Sequence, residues 1–82
     1  MSETSPEDPT SDRVVLNDAV FRARTSAMGA RNDRERCVVA GISRASLHRW
    51  RAGTVVPSLR ALRVVAERLQ VNVEELIRDA TP

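Results

Sequence analysis

The sequence predicts an all-α fold, a compact bundle of about five short helices with two steeply crossing helices at its centre. Three observations carry that expectation. Apolar residues recur at three- and four-residue spacing along the chain. An asparagine or a serine stands ahead of four of the five segments, with glycine or proline at the first three junctions between them. No segment alternates apolar and polar residues as a half-buried strand would. The valine pairs at 14–15, 38–39, 55–56 and 64–65 are the local β signal, but they lack that alternation. With 82 residues, 41% hydrophobic and 29% charged, the chain suits one small domain. Its aromatic residues are Phe21 and Trp50 alone, so the core must be largely aliphatic.

Residues 1–13 hold two prolines, four acids and few apolar side chains, and are expected to form a disordered acidic tail ahead of a domain at 14–80. Over residues 16–28 the positions Leu16, Val20, Ala23 and Ala27 make one helical stripe, with Arg22 and Arg24 off its centre and Gly29 available to stop it. Asn32, followed three residues later by Glu35, resembles a capping box for a second helix ending before Gly41. Ser43 caps a third helix over 44–51, and Gly53 stands where a left-handed residue closes it. Residues 54–57 form a loop, because Pro57 disfavours helix at the residue before it. Ser58 caps a fourth helix with the stripe Leu59, Leu62, Ala66 and Leu69 and with Val65 beside it. Asn72 and Glu75 repeat the cap ahead of a short last helix carrying Leu76 and Ile77.

Charge narrows the function. Residues 1–12 carry four acids and no base, whereas the rest carries thirteen arginines against seven acids, a surplus of six. Between Glu35 and Glu67 lie six arginines and no acid. A one-signed stretch on so small a domain is an electrostatic footprint for a polyanion. The longest mainly apolar run, 37–42, is far too short to span a bilayer, and no apolar segment follows the acidic start as a secretory signal would require. One cysteine allows no internal disulfide, and one cysteine with one histidine cannot build an ordinary zinc site. Ser46, His48 and Asp33 are the residue types of a catalytic triad without a pattern that assembles one. The expectation is a cytoplasmic protein without cofactor or metal, not an enzyme.

The central segment, residues 37–53, reads CVVAGISRASLHRWRAG. Two helices that cross steeply need a small side chain at the crossing, here Cys37, and a residue tolerant of positive φ in the turn, here Gly41. They also need aliphatic or aromatic anchors facing inward from the second helix, here Ile42, Leu47 and Trp50. A helix-turn-helix explains all five positions together. Cys37 is then a packed residue rather than a redox sensor, and Trp50 a core anchor rather than a base-stacking platform. With two aromatics, single-stranded nucleic acid is a poor partner.

On these residues the chain resembles the lambda/434 repressor and Cro family of helix-turn-helix domains, the Xre type. The likeness covers roughly 16–78 and is strongest over 37–77. In that family the residues opening the second motif helix enter the major groove, which by position implies base contact by Ser43, Arg44 and Ala45, with Arg49 one turn on. The start of the first motif helix and the loop into the fourth helix hold phosphates, which implies Asn32, Arg34, Thr54, Ser58 and Arg60. His48 is expected to be an inert surface residue. Two positions depart from the pattern: Arg36 replaces a usual leucine, and Arg51 replaces a glutamate often paired with an arginine of the first helix. The usual ion pair cannot form in its usual polarity, so a shifted first helix is expected.

The resemblance implies a sequence-specific regulator of transcription, a repressor acting by occupancy in a bacterial cell or phage-infected host. Its partner is double-stranded DNA, bound by a homodimer as small members commonly are, with Val71, Val73 and Leu76 as a candidate interface; no small-molecule ligand is expected. Three alternatives stay open: a DNA-binding antitoxin, a recombination-directionality or other architectural DNA protein, and a protein-interaction module that meets an acidic partner. The short C-terminal end, 79–82, argues against a toxin-binding extension there.

Overall fold

The computed structural model describes residues 14–79, and the acidic tail expected at 1–13 lies outside them. The element order is β1 (Val14–Leu16), α1 (Asp18–Ala27), α2 (Asp33–Ala40), α3 (Arg44–Ala52), α4 (Leu59–Leu69), α5 (Val73–Leu76) and β2 (Ile77–Asp79). The fold is a small helical bundle with a two-stranded sheet. The strands correct the all-helical expectation. β1 and β2 pair antiparallel, with Val14 opposite Asp79, Val15 opposite Arg78 and Leu16 opposite Ile77. A three-residue strand is too short to show alternation, and its stability comes from long-range pairing that local pattern does not report. Ile77 accordingly belongs to β2 rather than to the last helix.

Helix starts follow side-chain chemistry. Asn17, Asn32, Ser43 and Ser58 have extended backbone, and each side chain accepts a hydrogen bond from the amide three residues on, satisfying a donor that the helix leaves unpaired. Before α5 the Glu75 carboxylate accepts from the Asn72 amide at 2.9 Å. The corresponding Glu35 reaches one residue further back than expected, accepting from the Arg31 amide at 2.7 Å. Gly41 (φ 77°) and Gly53 (φ 74°) end α2 and α3 in the left-handed region, which a side chain adopts only at a cost. A Cβ on Gly41 would meet only the exposed Arg68 side chain, which can swing aside, so the positive φ is what selects glycine there.

The core draws on nearly every element: Leu16, Phe21, Cys37, Ala40, Leu47, Trp50, Val65, Ala66, Leu69 and Leu76 form one buried cluster. In α1 the expected stripe is wrong in face. Phe21 and Thr25 are fully buried while Ala23 and Ala27 are exposed, because one phenyl ring removes far more apolar area from water than two methyl groups. Thr25 loses nothing by burial, since its hydroxyl donates to the Phe21 carbonyl at 2.8 Å. In α4 the buried stripe is Leu62, Val65, Ala66 and Leu69, and Leu59 is 59% exposed. Leu76 is completely buried, which removes it from the candidate dimer face; Val71 and Val73 pack half-buried against the core.

The corrected face of α1 is directly testable. Phe21→Ala should cost about 3–5 kcal/mol in urea unfolding, whereas Ala23→Ser should stay within about 0.5 kcal/mol. Equal losses at the two positions would contradict the packing.

Candidate nucleic-acid interface

Two inward anchors settle which way α3 faces. Leu47 and Trp50 lie one turn apart and are buried, so the opposite side of the helix, Ala45 and Arg49, is exposed. Arg44 and His48, four residues apart on one flank, are exposed as well. Cys37 and Ala40 bury the inner side of α2, and Ile42 closes the turn half-buried. The Cys37 thiol is pushed above its ordinary value by burial, with the Asp33 carboxylate adding to the effect, so it behaves as packing and not as a thiolate.

Arg51, on the flank of α3 nearest the other helices, is the main electrostatic link. Its Nε donates to Asp18 Oδ1 at 2.7 Å, and its Nη1 and Nη2 donate to Asp33 Oδ2 and Oδ1 at 2.8 and 3.1 Å. Asp18 opens α1 and Asp33 opens α2, so one guanidinium fastens three helices. Each carboxylate also sits in a helix first turn, where the macrodipole favours negative charge. In place of the arginine on α1 and glutamate on α3 that the resemblance leads one to look for, α3 carries the arginine and α1 the aspartate of an ion pair. Arg36, the second departure, donates from Nη1 to Asp33 at 2.9 Å, with its side chain 15% exposed. Asp33 is held down at about 2, chiefly by the Arg51 hydrogen bonds. For Asp18, burial works upward, but hydrogen bonds from Arg51 and Arg22 outweigh it and lower the carboxyl.

The arginines therefore divide into two sets. Arg22, Arg31, Arg36 and Arg51 pair with carboxylates, and Arg24 donates to the Leu69 carbonyl at 3.2 Å. Arg34, Arg44, Arg49, Arg60, Arg63, Arg68 and Arg78 meet no carboxylate among the described residues. Of the six in the acid-free stretch, two are structural and four are unpaired.

The nine residues named from sequence for base or phosphate contact are all exposed. Four of them already have a structural task. The Asn32, Ser43 and Ser58 side chains accept from the Glu35, Ser46 and Ala61 amides at 2.9, 3.0 and 3.1 Å. Thr54 donates through its amide and hydroxyl to the Arg49 carbonyl, closing α3. Ala45 has only a methyl group to offer. Arg34, Arg44, Arg49 and Arg60 remain as cations without an ion pair among the described residues, and neither α3 nor α4 has an acid in its first turn to repel an anion. Asp18 and Asp33 were missed by sequence reasoning, although a signal existed: the dipeptide Asn-Asp occurs at both helix starts.

Among the described residues no helix is long and apolar enough to cross a membrane, and no group of three or more His, Cys, Asp or Glu side chains is arranged to hold a metal. Comparison with family models, curated proteins and solved structures finds no match to this chain.

The Arg51 brace carries a pH signature. Because Asp33 is lowered from 3.8 to about 2, its contribution is present above pH 4 and is lost as pH falls toward 2, with Asp18 acting in the same direction. Arg51→Met should cost about 1–2 kcal/mol at pH 6, a moderate figure because solvent screens the part-exposed carboxylates. The variant should also lose less of its remaining stability than the parent protein between pH 5 and pH 2.5. Parallel stability curves for the two proteins would show that the brace contributes nothing.

Proposed function

We propose that the chain is a sequence-specific double-stranded DNA-binding regulator of transcription, with α2, the Gly41 turn and α3 serving as a helix-turn-helix of the lambda repressor and Cro type. The observation that carries this reading is the pair of unpaired arginines on α3. Arg49 projects from the side of α3 opposite the Leu47 and Trp50 anchors and Arg44 from its flank, within a stretch free of acids. A rigid helix with outward guanidiniums suits the major groove, where an arginine forks onto guanine O6 and N7. The anion-tolerant starts of α3 and α4, with Arg34 and Arg60 nearby, suit the flanking phosphates. Occupancy of a site by so small a domain would block polymerase or a competing protein, which is repression without a further activity.

Two substitutions separate reading from holding. Arg49→Ala should cost about 1–3 kcal/mol on the preferred duplex and relax the preference at one base step. Arg60→Ala should weaken every duplex alike and make the salt dependence shallower, as expected for one lost phosphate contact. The preferred duplex is obtained by enriching random DNA on the purified protein. If two copies bind, that site is an inverted repeat whose half-sites are about 34–36 Å apart. Failure to enrich any sequence over random DNA would remove the regulator reading and favour a protein-interaction module.

A further inference from the structure

Where α3 passes the start of α2, a notch of about 130 Å³ opens, lined by Asp33, Arg44, Leu47, His48 and Arg51. We propose that this notch seats a backbone phosphate of the nucleic acid, and that His48 is the ligand in it whose protonation sets the strength of binding. The inference rests on the nucleic-acid reading of α3 and adds to it a contact and a dependence on pH.

The notch is large enough for one phosphate group. Its charge is decided by which groups are already engaged. Asp33, the acid in it, accepts from Arg51 at 2.8 and 3.1 Å and from Arg36 at 2.9 Å. Arg51 is shared in turn with Asp18 of α1 at 2.7 Å. With Arg22 also on Asp18, three guanidiniums meet these two carboxylates, so Asp33 presents little net repulsion to an anion. The uncommitted charge is Arg44, four residues before His48 on the same flank of α3, and it meets no carboxylate among the described residues. Arg44 draws the phosphate toward the notch and His48 meets it there.

A histidine ordinarily titrates between pH 6 and 7, so its charge is a variable in a way that an arginine's is not. A phosphate oxygen beside the imidazole favours the protonated form, so complex formation takes up a proton from solvent below neutral pH. By linkage, duplex affinity must then rise as pH falls. One histidine gaining one opposite charge predicts binding about three- to tenfold tighter at pH 5.5 than at pH 8. The acids bound by arginine play no part in this range, since Asp18, Asp33 and Glu35 all titrate below their ordinary values.

The test is the dissociation constant of a random-sequence duplex at fixed ionic strength from pH 5.5 to 8, for the parent protein, His48→Gln and His48→Arg. The parent should tighten as pH falls; the glutamine variant should stay flat at the weak limit and the arginine variant flat at the tight limit. In the parent, the imidazole proton resonance should titrate at higher pH with duplex than without. A parent protein that binds DNA with no pH slope, or a glutamine variant that keeps the slope, overturns the role of His48 while leaving the DNA reading intact. Absence of any complex at low salt at every pH overturns both.

Discussion

The hold of Arg51 on Asp18 and Asp33 is the constraint from which the rest of this structure takes its geometry. A domain of this size buries few large side chains, so hydrophobic contact alone leaves the mutual angles of short helices loosely specified. A planar guanidinium whose donors meet two carboxylates on different helices is directional in a way that a leucine is not. Both aspartates sit where helix dipoles favour them, and the pairing remains part-exposed, which avoids the desolvation penalty of a fully buried ion pair. The apolar contacts of Leu47 and Trp50 supply the larger energy, while Arg51 supplies the registration.

The same network sorts the charge. A chain with thirteen arginines on a +2 background could spend all of them on internal pairing. Instead three carboxylates, Asp18, Asp33 and Glu35, engage Arg22, Arg31, Arg36 and Arg51 near the starts of α1 and α2. The cations left over lie on α2, α3, α4 and β2 and form no ion pair among the described residues. Net charge conceals this separation, because a modest total is compatible with one face strongly positive. The unpaired set is what gives the proposed DNA contact its electrostatic basis, and the paired set gives it a rigid support.

Much of the helix layout was legible in the sequence because caps and turns act locally. Asn32, Ser43 and Ser58 each announce a helix by their own side-chain chemistry, the last helix is announced by Glu75 accepting from the Asn72 amide, and Gly41 and Gly53 mark the ends by what only glycine tolerates cheaply. What was not legible depends on partners far along the chain. The pairing of Val14–Leu16 with Ile77–Asp79 joins the two ends of the described fold, and nothing near either strand reports it. The face of α1 was misassigned because spacing counted alanines equally with Phe21, whereas burial follows area. Leu59 illustrates the reverse case, a large apolar residue in phase with a stripe and yet exposed at the first turn of α4. At the candidate site, the positions on α3 could be read from spacing, but the roles of Asp18 and Asp33 required knowing that Arg51 faces both.

The central claim is that the brace holds α3 with its arginine-bearing side outward so that this side, and not another, meets DNA. Amide chemical-shift mapping of the labelled protein titrated with duplex DNA tests it most directly. The account predicts perturbations concentrated at residues 43–49, at the starts of α2 and α4, and in the 53–58 loop, with Phe21, Leu69 and Leu76 undisturbed. Perturbations centred on α1 and the β1–β2 sheet, or no perturbation at low salt, would contradict it.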